Sequence, residues 1–134
     1  MINSKRNKFL IGKKILWIED DEFFSSLMTK KVSETGCILV FITTGEEAVK
    51  IASQEKPDLI ILDILLPGMN GFKVLEKIKA DENLKNIPII VLSNLGGQEN
   101  KDRAFDLGVE KYFLKTEIKP SEILNQIELF LKRS

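Results

Sequence analysis

The sequence predicts an α/β fold: one open parallel sheet with helices packed on both faces. Three observations predict it. Short apolar runs alternate with segments of helical period five times over. Those runs are continuously apolar rather than alternating, as strands covered on both faces require. The chain has 134 residues, the size of one domain with a core that needs no disulfide or structural metal.

The first strand is Lys14 to Ile18, ending in Glu19, Asp20 and Asp21. A helix follows in which Phe24, Leu27, Met28 and Val32 recur at spacings of three and four, with Asp21 and Glu22 suited to cap it. Gly36 stops it, since glycine tolerates the positive φ common at a helix end. The second strand reads Cys37 to Ile42, and a short helix carries Ala48, Val49 and Ala52. Pro57-Asp58 opens the third strand, Leu59 to Leu62, which stops at Asp63. Strong turn chemistry follows in Leu66-Pro67-Gly68-Met69-Asn70-Gly71. The third helix sets Val74, Leu75 and Ile78 on one face. Pro88 opens the fourth strand, Ile89 to Leu92, ending at Ser93. A more polar helix spans about Gln98 to Leu107, and Gly108 closes it. The fifth strand, Lys111 to Leu114, ends at Lys115, and a last helix starts near Pro120 with Ile123, Ile127, Phe130 and Leu131 inward. Residues 1–11 are a polar, basic lead-in expected to be partly disordered, and 12–134 form the domain.

Composition narrows the function. Twenty basic residues balance twenty acidic ones, so no bulk attraction to nucleic acid or anionic membrane is expected. No apolar run is long enough to span a bilayer, and no secretory signal is expected, which points to a cytoplasmic protein. With no histidine, a Ser-His or Cys-His hydrolase is excluded and a zinc site is not expected. The single Cys37 reads as a small buried apolar residue. No P-loop motif is present, and the acidic first loop is unlike the backbone-donor nest of a flavodoxin-type phosphate site.

Open α/β sheets bind ligands at the carboxyl ends of their strands. Here those ends carry Glu19 and Asp20, Asp63, Ser93 and Lys115. Two unit charges about 4 Å apart repel by roughly 4 kcal/mol at an effective dielectric of about 20. Three carboxylates therefore persist together only by protonating or by sharing a cation. Hard oxygen donors without imidazole or thiolate favour Mg²⁺.

These residues carry a family resemblance. Ile15-Leu16-Trp17-Ile18-Glu19-Asp20-Asp21-Glu22, followed by Pro57 to Leu62, Asp63 and Ile64-Leu65-Leu66-Pro67-Gly68-Met69-Asn70-Gly71, resembles the receiver domain of two-component response regulators. Ile89 to Ser93 and Gly108 to Lys115 extend the match over about residues 13–132. The resemblance implies a five-stranded sandwich of strand order 2-1-3-4-5. It implies Asp63 as phosphoacceptor for a phosphohistidine on a sensor histidine kinase or phosphotransfer protein, a signalling role rather than an enzymatic one. Mg²⁺, with Mn²⁺ as a substitute, would be held by Asp20, Asp63, the Leu65 backbone carbonyl and, directly or through water, Glu19. Lys115 would oppose phosphoryl charge, Ser93 would bind a phosphoryl oxygen, and Tyr112 matches the aromatic that follows the switch. The output would be a protein-binding surface on the fourth helix, fifth strand and fifth helix, in a monomer or weak homodimer. A stand-alone regulator without an output domain is expected.

Three positions depart from the common pattern. Thr116 follows Lys115 in place of the usual proline, so no cis bond is expected there. Asn94 stands where a small residue is usual, which would narrow access. Leu65 is apolar where many relatives are polar, and an apolar side chain cannot orient an attacking water; slow self-dephosphorylation is expected. The rival reading is a receiver-like fold kept as a protein-interaction module without phosphorylation.

Overall fold

The computed structural model describes residues 10–133. Five parallel strands form one sheet in the order β2-β1-β3-β4-β5: β1 (Lys14–Ile18), β2 (Ile38–Ile42), β3 (Leu59–Leu62), β4 (Ile89–Ser93) and β5 (Lys111–Leu114). Five helices connect and cover them: α1 (Glu22–Ser33), α2 (Ala48–Glu55), α3 (Gly71–Ala80), α4 (Gln98–Asp106) and α5 (Pro120–Lys132). This is the doubly wound α/β sandwich that the apolar runs predicted. Strand order reverses between β1 and β3, and there the Ile18–Leu62 pairing brings the two strand ends level.

Each strand's two side-chain faces feed a separate core. Leu16, Ile18, Ile60, Leu62, Ile89 and Val91 pack against Val74, Leu75 and Ile78 of α3. Ile15, Trp17, Leu59, Ile61, Ile90 and Leu92 pack against Met28 and Val32 of α1 and Ile123, Ile127 and Phe130 of α5. Burial on both sides is why these runs lack polar alternation.

The local signals act as their chemistry requires. Asp21 caps α1, its Oδ1 accepting the Phe24 N–H at 3.1 Å. Gly36 sits at φ 91°, the left-handed region where a Cβ is unfavourable. Pro120 occupies the first turn of α5, and Glu122 reaches back to accept the Lys119 N–H at 2.9 Å. The peptide bond after Lys115 is trans.

Several expectations are corrected. Leu10, at the end of the expected lead-in, is buried in the α1–α5 core; residues 1–9 of that lead-in lie outside the described residues. Leu27 is exposed rather than core-facing, because α1 has more apolar residues than one face can hold and Met28 takes the inward position. A 3-10 turn over Gly45–Glu47 precedes α2. Cys37 is buried but lies just before β2, whose first residue, Ile38, is half exposed at the sheet edge.

Candidate functional site

The backbone pins each strand-end residue to its neighbour. The Glu19 N–H donates to Ile42 O at 2.9 Å, the Asp63 N–H to Ile18 O at 3.0 Å, and the Lys115 N–H to Ser93 O at 2.9 Å. These bonds continue the sheet ladder by one residue, so the polar side chains stand on rigid strand ends rather than on loops.

They converge. One oxygen each from Glu19, Asp20 and Asp63 lies within 4.8 Å of the others. Glu19 and Asp63 are buried and Asp20 is exposed. The Lys115 ammonium lies 2.7 Å from Glu19 Oε1 and 2.8 Å from Oε2, and donates to Asp63 Oδ2 at 3.1 Å. Asp63 Oδ1 accepts the Ser93 hydroxyl at 2.6 Å and the Leu65 N–H at 2.9 Å. Glu19 Oε2 also takes the Asp21 N–H at 3.0 Å. Glu19 Oε1, by contrast, touches the ammonium without an aligned hydrogen bond, a buried oxygen with unused acceptor capacity.

Charge at the site follows from this packing. Burial pushes the Glu19 carboxyl above its usual range, more than the hydrogen bond from Lys115 lowers it. Burial alone would lower the Lys115 ammonium; the Glu19 hydrogen bond and the charge of Asp63 outweigh it and raise it, so Lys115 stays charged. Three acids against one ammonium leave the pocket net negative. The donor set is all oxygen, and Glu19 has an oxygen to spare, so these residues fit a hard divalent cation such as Mg²⁺.

A hydrogen-bonded path leads away from Asp63. Ser93 Oγ accepts the Leu95 N–H at 3.2 Å, and Leu95 O accepts the Tyr112 hydroxyl at 2.6 Å. Tyr112 is buried, and burial together with the charge of Asp63 raises its phenol. Asn94 is exposed and Leu65 is half exposed.

The strand-end reading thus finds Glu19, Asp20, Asp63, Ser93 and Lys115 together, with Leu65 present through its N–H and Tyr112 one loop away. It missed two features. Phe24 presents its ring face to Lys115, with Nζ 4.9 Å from the centroid, and meets Trp17 edge-on at 6.0 Å. Glu46 accepts the Met69 N–H at 3.3 Å and tethers the loop after β3. Nothing in the local spacing flags either contact, because both join elements distant in the chain.

The fold and this rim define a class: doubly wound α/β proteins with an acidic, cation-ready pocket at the switch point. Within that class the chain belongs to the response regulator receiver domain family, whose model matches residues 15–128. It is 32% identical over 124 residues to the alkaline phosphatase synthesis transcriptional regulatory protein PhoP of Bacillus subtilis, covering 92% of this chain and 50% of that protein. The BeF3-activated receiver domain of Klebsiella pneumoniae RstA superposes with a TM-score of 0.81 at 28% identity, over 89% of this chain and 98% of that one. The receiver domain of the Pseudomonas aeruginosa sensor histidine kinase PA1611, with a magnesium ion in its active site cleft, gives 0.80 at 25% identity, over 90% and 98%. The chain spans about half the length of curated relatives such as PhoP and PhoB.

Proposed function

We propose that this receiver is a phosphorylation switch in which Asp63 accepts a phosphoryl group from a phosphohistidine on a sensor kinase or phosphotransfer protein. The observation that carries the reading is that both Asp63 oxygens are engaged by groups suited to a phosphoryl anion, beside two further acids. A carboxylate oxygen of Asp63 forms the new bond to phosphorus as the phosphorus–nitrogen bond to the donor imidazole breaks, and the imidazole leaves with the electron pair. Such a transfer requires alignment and charge neutralisation more than covalent help from the protein.

Asp20, Asp63, the Leu65 carbonyl and Glu19, directly or through water, would hold Mg²⁺, which supplies positive charge opposite the transferring group. Lys115 supplies the second positive charge. Ser93, already on Asp63 Oδ1, would pass its hydrogen bond to a phosphoryl oxygen. Because Leu95 hangs on Ser93 and Tyr112 on Leu95, a shift at Asp63 would move the loop after β4 and alter the face built from α4, β5 and α5. The target of that face is a protein.

The test is intact mass after incubation with phosphoramidate or acetyl phosphate and Mg²⁺. Wild-type protein should gain one phosphoryl group and Asp63→Asn none. No gain by the wild type across donors and conditions would leave an interaction module without phosphorylation.

A further inference from the structure

Resting on that phosphoacceptor reading, we infer that Phe24 is a positioning residue for Lys115, its ring face holding the ammonium over the pocket. Lys115 ends a flexible four-carbon stem, and in this structure its ammonium bridges Glu19 and Asp63. Those are the carboxylates that a divalent cation and a phosphoryl group would claim. As they turn to new partners, the ammonium loses what now fixes it.

Phe24 does not compete for those oxygens. Its ring lies 4.9 Å from Nζ, within the range of a cation–π contact, and the Lys115 side chain is only 9% exposed, so water screens the attraction little. The ring is itself held from two sides. The cap fixes its backbone, with the Phe24 N–H on Asp21 Oδ1, and Trp17 packs against it at an interplanar angle of 68°. Trp17 is fully buried in β1, two residues before Glu19. Trp17, Phe24 and Lys115 thus form a stack from the sheet core to the pocket. It carries no ionisable group except the ammonium. A leucine could fill much of the space but would offer no negative face to the cation.

The experiment measures the rate of phosphorylation by phosphoramidate in Phe24→Leu, Phe24→Tyr and protein carrying pentafluorophenylalanine at position 24. The fluorinated ring keeps the aromatic shape but has its quadrupole reversed. Thermal melts in parallel confirm folding, and if the leucine variant fails to fold, the tyrosine and fluorinated proteins decide the matter. The expected result is a roughly two- to tenfold slower reaction for the leucine and fluorinated proteins, with tyrosine close to wild type. A fluorinated protein as fast as wild type overturns the inference, because packing alone would then account for Phe24. A double-mutant cycle of Phe24→Leu with Lys115→Met, read by unfolding, checks the contact without any phosphoryl donor. Coupled losses support it and additive losses overturn it. Wild-type protein that takes up no phosphoryl group while the cycle shows coupling removes the phosphoacceptor reading and leaves the contact standing.

Discussion

The Ser93 hydroxyl donates to Asp63 Oδ1 at 2.6 Å while its oxygen accepts the Leu95 N–H at 3.2 Å, so one side chain joins the Asp63 carboxylate to the loop after β4. Ser93→Ala removes both bonds yet leaves Asp63 the Leu65 N–H and Lys115. Stability should fall by about 1–2 kcal/mol, measured by denaturant unfolding. Phosphorylation by a small donor should persist, but the Leu95 and Tyr112 signals should no longer shift with it in NMR spectra.

Lys115 is the countercharge of the resting pocket. In Lys115→Met, Glu19 and Asp63 remain buried beside Asp20 without an ammonium. Metal-free stability should drop by about 3 kcal/mol, the usual cost of breaking a buried pair from one side. Mg²⁺ should then raise the melting temperature more in the variant than in wild type. Equal Mg²⁺ shifts in the two proteins would contradict this account of Lys115.

Tyr112 is the only tyrosine in the chain, so tyrosinate absorbance reads it directly. Burial first, and the charge of Asp63 second, raise its phenol above the ordinary value of 10.0. A folded pKa above the unfolded one stabilises fully below the unfolded value and is lost as pH rises through the folded value. Lys115, also raised, has the same sign above 10.5. Stability should therefore decline from about pH 10 upward. Asp63→Asn should lower the Tyr112 midpoint, although burial keeps it above the ordinary value.

Leu65 stands half exposed, two residues after Asp63. Its side chain has no group to orient a water for attack on an acyl phosphate. Leu65→Asn should shorten the phosphoryl lifetime several-fold, followed by intact mass after donor removal. A wild-type lifetime of only seconds would refute the expectation of slow self-dephosphorylation.

Gly71 packs directly against the backbone of Asp63 and Ile64. A Cβ there would lie 2.5 Å from Ile64 Cα and 2.6 Å from Asp63 O, and backbone cannot yield as a flexible side chain does. Gly71→Ala should cost about 1–3 kcal/mol and weaken Mg²⁺ binding, measured by denaturant unfolding and calorimetry.

The sheet was legible because each strand is an uninterrupted apolar run closed by a polar residue, as Leu59 to Asp63 shows. The site was legible for the same reason: parallel strands deliver their last residues to one rim. Helix faces were less so. Phe23, Phe24, Leu27 and Met28 offer period more than one inward solution, and only the packing selects Met28 and leaves Phe23 and Leu27 outside. Contacts across elements, Phe24 with Lys115 and Glu46 with Met69, have no signature in local spacing because folding alone sets those distances.

Glu19 is sealed in the interior, whereas its neighbour Asp20 faces solvent. An ion bridging the two would keep one ligand on the wet side, and could be exchanged without any strand parting from the sheet. A chelator should strip it from the folded protein with the secondary structure intact, so ion traffic and unfolding run on separate clocks.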